Sequence, residues 1–101
     1  MAVAYFCQWN QVPEGTADRV SERVSQQLGK GQGPAGGIYH AEGPTEGNGW
    51  WTFDVWESAD AYQDFARQIL YPVLDELGAS RPQAQQLLQV AWDTSQPMTG
   101  D

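Results

Sequence analysis

A chain of 101 residues with 13 acidic and 5 basic side chains carries a net charge of -8 and suits one acidic domain. Its cations, Arg19, Arg23, Lys30, Arg67 and Arg81, are too few and too scattered to neutralise a phosphate backbone or an anionic membrane, which excludes nucleic-acid and membrane-surface functions. The single cysteine, Cys7, leaves no intrachain disulfide and no cysteine-based metal framework, and no apolar run approaches the roughly 20 residues of a membrane span. Met1–Tyr5 has neither the basic start nor the apolar stretch of a secretory leader, so a cytoplasmic protein is expected.

Ala2 to Trp9 is predicted as the first strand. Val3, Tyr5, Cys7 and Trp9 share one face; Ala4, Phe6 and Gln8 share the other, and both are apolar enough to expect cover. Val12-Pro13-Glu14-Gly15 ends it. Thr16 is expected to cap a helix reaching about Leu28, with Ala17, Val20, Val24 and Leu28 on one stripe and Gly29 as the stop. The Gly-rich run 29–37 lacks both phosphate-cradling patterns and reads as a flexible connector.

Ile38 to Glu42 is a short second strand, joined by the loop 43–49 to a third strand, Trp50 to Trp56, as an antiparallel hairpin. The third strand runs straight into a helix: Ser58 offers a cap and Asp60 suits the first turn. That helix is expected from Ala59 to Leu77, presenting Tyr62, Phe65, Ile69, Val73 and Leu77, with Pro72 kinking or splitting it near Leu70 and Tyr71. Gly78 ends it. A last strand is placed at about Gln86 to Trp92. Residues 1–95 then form one domain, and 96–101 a flexible tail.

The order β-α-β-β-α-β predicts an α+β, ferredoxin-like fold: a four-stranded antiparallel sheet with two helices on one face. The other face carries aromatics, and burial against a second copy is the simplest cover for it.

The run Gly36-Gly37-Ile38-Tyr39-His40-Ala41-Glu42-Gly43-Pro44 and the junction Asp54-Val55-Trp56-Glu57-Ser58-Ala59-Asp60-Ala61-Tyr62, with Phe65, resemble the dimeric α/β-barrel superfamily. They look most like its small antibiotic biosynthesis monooxygenase (ABM) proteins. The resemblance covers nearly the whole chain in element order. It implies a homodimer closing a barrel, a pocket between the second helix and the sheet, and one of several chemistries: cofactor-independent oxygenation of polyketide quinols, haem degradation, or cyclisation and isomerisation. The haem-degrading branch uses an Asn, a Trp and a His where this chain has Gln8, Phe65 and Leu74, so the iron ligand is missing.

His40, the one histidine, is the candidate base for forming a reactive substrate anion, and Asp54 is a second base or an orienter for it. Gln8 is a candidate hydrogen-bonding partner of a ligand carbonyl. Tyr5, Tyr39, Trp56, Tyr62 and Phe65 are the candidate walls for a flat aromatic substrate. One His and one Cys give no metal site, and no cofactor is called for. The expected function is cofactor-independent monooxygenation of an aromatic, polyketide-like molecule. The alternatives are a non-catalytic binding or scaffold dimer of the same fold, or a cyclase or isomerase.

Overall fold

The computed structural model describes residues 2–29 and 31–91. The strands are β1 (Val3–Trp9), β2 (Gly37–Pro44), β3 (Trp50–Trp56) and β4 (Ala84–Gln89). They form one antiparallel sheet in the order β2-β3-β1-β4. The helices are α1 (Thr16–Leu28), α2 (Ala59–Phe65) and α3 (Tyr71–Glu76), the last two joined without a break by a π-helical segment, Ala66–Leu70. This is the ferredoxin-like arrangement, and no helix among the described residues is long and apolar enough to cross a membrane.

Strand alternation fixes what each face carries. Cross-strand pairs Val3↔Trp56, Tyr5↔Asp54, Cys7↔Thr52 and Trp9↔Trp50 lie on the helix side. There Val3, Tyr5, Cys7 and Trp56 pack with Tyr62 and Ala66 into the core. Tyr5 stacks on Tyr62 with ring centroids 3.8 Å apart, and Trp56 meets Tyr62 edge-on at 5.6 Å. The opposite face carries the pairs Ala4↔Val55, Phe6↔Phe53 and Gln8↔Trp51. It is only partly covered: Phe6, Trp51 and Phe53 are half-buried, and Leu88 on β4 is exposed.

The β3–α2 junction forms as its residues dictate. Ser58 Oγ accepts the Ala61 N–H at 3.1 Å, and Asp60 sits in the first turn. Four local expectations change in detail. Thr16 is not the cap of α1. Gly15 holds that place with φ 82, and Thr16 is the first helical residue, buried, its Oγ1 accepting from Arg19 at 3.2 Å. The second helical run is divided near Leu70 and Tyr71, as Pro72 predicts, but by a change of hydrogen-bond register and not by a gap. The Tyr71 N–H reaches back to Ala66 O, one residue beyond the α-helical partner, and Pro72 falls in the first turn of α3, where its missing N–H is not needed. β2 is longer than expected and takes in Gly43 and Pro44. β4 starts earlier, at Ala84, and ends at Gln89; Trp92 and the tail 96–101 lie outside the described residues.

The Gly-rich connector is more than slack. Gly36 has φ 80, its carbonyl accepts the Glu57 N–H at 2.8 Å, and a Cβ placed there would sit 2.6 Å from Ala61 Cβ. The end of the connector is thus seated on the start of α2. Gly33 has nothing within 4 Å of such a Cβ. Gly36→Ala should therefore lower stability in urea unfolding by about 1–3 kcal/mol, while Gly33→Ala stays within about 0.5 kcal/mol of the parent. Equal effects of the two changes would contradict the docked role of Gly36.

Candidate functional site

α1 covers the sheet loosely. Thr16 is its one buried residue, and Val20, Val24 and Leu28 are half-buried because their stripe faces open space. That space is a cavity of about 630 Å³ between α1 and the helix side of β2 and β3. Val20, Val24 and Leu28 line it from α1; Cys7, Trp50, Thr52, Asp54 and Trp56 line it from the sheet; Phe65, Leu70 and Leu74 close it from the second helical run. A concave, mostly apolar space with a few polar groups at one side is the usual form of a small-molecule site.

The polar side is built by the β2–β3 pairing. His40 stands directly opposite Asp54, and Glu42, two residues along β2, shares their face. His40 Nδ1 contacts Asp54 Oδ1, and His40 Nε2 lies 2.9 Å from Glu42 Oε1. The Trp50 indole N–H donates to the other oxygen, Glu42 Oε2, at 2.7 Å. A neutral imidazole has one N–H and one lone pair, so it can satisfy only one of two flanking carboxylates. With both ionised, the ring must carry two protons. The hydrogen bond to Asp54 first, then that to Glu42, push the His40 pKa up to about 10, while burial pulls the other way. The hydrogen bond from His40 holds the Glu42 carboxyl below its usual range. A pKa of about 10 keeps both protons on His40 near neutral pH. Burial raises the Cys7 and Tyr62 pKa values, so both stay protonated.

The other expected site residues divide by strand parity. Tyr39, Trp56, Tyr62 and Phe65 line the cavity; Tyr39 does so from its edge, with 52% of its surface exposed. Gln8 does not. It lies opposite Trp51 on the other face of the sheet, one residue out of step with Cys7. Tyr5 shares the helix face but is sealed beneath the Tyr62 ring, where it borders a separate depression of about 290 Å³ with Gln63, Arg67 and Gln85. Two residues of the cluster were not among the candidates, Glu42 and Trp50. The spacing His40-x-Glu42 on a strand was the available signal for the first. Trp56 lines the cavity while its buried indole N–H has no partner among the described residues. No group of three His, Cys, Asp or Glu side chains among the described residues is arranged to hold a metal ion. Leu74 and Phe65, both in the cavity wall, offer a haem iron no ligand.

No family model matches the sequence, and no curated protein does. Solved structures do match it in shape. The NE2512 protein of Nitrosomonas europaea aligns with a TM-score of 0.67 at 12% identity over 92% of each chain. SnoaB, a cofactor-independent oxygenase from Streptomyces nogalater, aligns at 0.61 and 15% identity over 94% of this chain and 98% of its own. A candidate antibiotic biosynthesis monooxygenase from Chloroflexus aurantiacus aligns at 0.62 and 9% identity over 92% of this chain and 97% of its own. At identities this low the likeness shows a shared fold, the one these three proteins have.

The charge cluster has a pH signature. The raised proton affinity of His40 stabilises the fold fully below its ordinary value of 6.5, and that contribution fades as pH climbs through about 10. The lowered Glu42 value sets the other edge: its share is present above 4.5 and is lost as pH falls below it. His40→Gln should thus cost about 1 kcal/mol near pH 6, the modest size reflecting a half-exposed ring. The gap to the parent should close toward pH 10.5. A stability difference that stays constant across this range in urea titrations would contradict the paired imidazolium.

Proposed function

We propose that this chain binds a flat, multi-ring aromatic molecule in the cavity and oxygenates it with O₂, without a cofactor, using the Asp54–His40 pair for proton transfer. The observation that carries the reading is the cavity itself: apolar and aromatic walls, with the ionic cluster at one side. The fold shared with an oxygenase that SnoaB's name describes as cofactor-independent supports it, although fold alone never selects a chemistry. Such a reaction turns a ring CH₂ into a carbonyl. One oxygen atom enters the product, and the other leaves as water with the two hydrogens. The protein's part is to bind, to remove the first proton and to hold the resulting anion where O₂ reaches it. Trp56, Tyr62 and Phe65 supply wall area, and Tyr39 stands at the edge.

A non-catalytic binder of the same class of molecule is the second reading. It is favoured by the full engagement of His40, whose two ring nitrogens both already face carboxylates. The aromatic sheet face with Phe6, Trp51 and Phe53 is, in this proposal, covered by a second copy of the chain. Light scattering should then give twice the 11.2 kDa chain mass, and a mass near 11.2 kDa at micromolar concentration would contradict the dimer.

An oxygen electrode with anthrone as substrate tests the activity. The expected result is one O₂ consumed per anthrone with no flavin or metal added. Val24→Trp, which fills the cavity from α1, should weaken anthrone binding at least about tenfold, roughly 1.4 kcal/mol. Tight binding with no uptake would leave the binder reading; no binding at all would overturn both.

A further inference from the structure

We infer that Asp54, through Oδ2, is the group that takes the proton from the bound substrate, and that His40 is not a base but the fixed positive partner that receives the new anion. The inference rests on the cavity being the reaction site. It assigns roles to the residues within it.

Six described side chains lining the cavity can titrate: Cys7, Tyr39, His40, Glu42, Asp54 and Tyr62. α1 brings none, since its lining residues are apolar or hydroxyl-bearing, and the second helical run brings only Tyr62. Cys7 is a buried thiol, and the tyrosines are acids rather than bases. Both nitrogens of His40 face carboxylates, and Glu42 accepts at both oxygens, from His40 and from Trp50. Asp54 is engaged through Oδ1 alone. Its Oδ2 makes no hydrogen bond among the described residues, although only 14% of the side chain is exposed. It is the one basic atom of the cluster left over for a ligand.

The step balances in charge and in bonds. A C–H bond of the substrate breaks, the proton bonds to Asp54 Oδ2, and the electron pair spreads onto the conjugated carbonyl oxygen as an enolate. The carboxylate becomes a neutral acid. The negative charge therefore moves from Asp54 to the substrate without changing the total in the cavity. The His40 Nδ1–H, no longer facing an anion, turns its donor to the enolate oxygen. The Glu42 carboxylate, fixed by the Trp50 indole, keeps the ring oriented and protonated throughout. Glu42 and Trp50 are thus positioning residues, while Asp54 and His40 touch the reacting molecule. A substrate bearing its own carboxylate would meet the Asp54 and Glu42 anions at this wall and be disfavoured.

Exchange of the anthrone CH₂ hydrogens for deuterium, followed under argon in the presence of the intact protein, isolates this step from oxygenation. Asp54→Asn should slow protein-catalysed exchange by about 10²-fold or more while anthrone affinity stays within about threefold. For the unmodified protein, exchange corrected for the protein-free rate should be flat from about pH 6 to about pH 9, since the imidazolium does not titrate there. A rise of about tenfold per pH unit over that range would mark neutral His40 as the base and overturn the assignment. So would an Asp54→Asn protein that binds anthrone and exchanges it at the parent rate. Failure of the unmodified protein to bind anthrone would remove the proposed function and this assignment together.

Discussion

One cross-strand pair organises this protein: His40 on β2 directly opposite Asp54 on β3. An imidazole placed between two carboxylates must hold both its protons, and this turns a flexible pH-sensitive side chain into a fixed cation. The pairing depends on hairpin register. The five-residue turn Thr45–Gly49 closes with the Thr45 N–H on Gly49 O at 3.1 Å, with Gly47 and Asn48 at φ 77 and 71. A slip of one residue would send His40 and Glu42 to the far face of the sheet. The Trp50 indole, at the end of the same hairpin, then fixes Glu42 and so completes the cluster.

The rest of the fold divides its labour around that hairpin. Toward β1, the sheet packs tightly under α2 and the π-helical segment, where Tyr5, Trp56, Tyr62 and Ala66 make a dry core. Toward β2, α1 stands away and its apolar stripe meets a cavity instead of the sheet. A helix with so little buried surface of its own needs other anchors. It has one in the Arg23–Glu76 ion pair to α3, 2.9 Å long, though an exposed pair of this kind contributes little. A hydrophobic occupant of the cavity would bury the stripe of α1 as well as itself, so binding and the ordering of this helix are coupled.

Much of the fold was legible in the sequence because its signals are local. The aromatic run Trp50–Trp56 ending in Ser58 announces a strand entering a capped helix, and the structure has that junction. The departures have local causes too. Thr16 is the capping type of residue, but Gly15 adopts the left-handed geometry that starts α1. Pro72 marks the division at Leu70 and Tyr71, but the sequence does not say that a π-helical turn, and not a gap, makes it. The site was legible in its members more than in their placement. His40 and Asp54 meet, but Gln8 falls on the wrong parity and Tyr5 lies beneath Tyr62. The protonation of His40 was hidden because it depends on Glu42 and Asp54 together, and strand pairing, which a sequence does not state, decides whether both reach one ring.

His40 is doubly protonated where a free histidine would be neutral. Nitrogen NMR of the ¹⁵N-histidine-labelled protein at about pH 8 reads this directly, since the chain has a single histidine. Two protonated-type ring resonances, each coupled to its own hydrogen, are the predicted result. One protonated and one bare nitrogen would show a neutral ring and contradict the account.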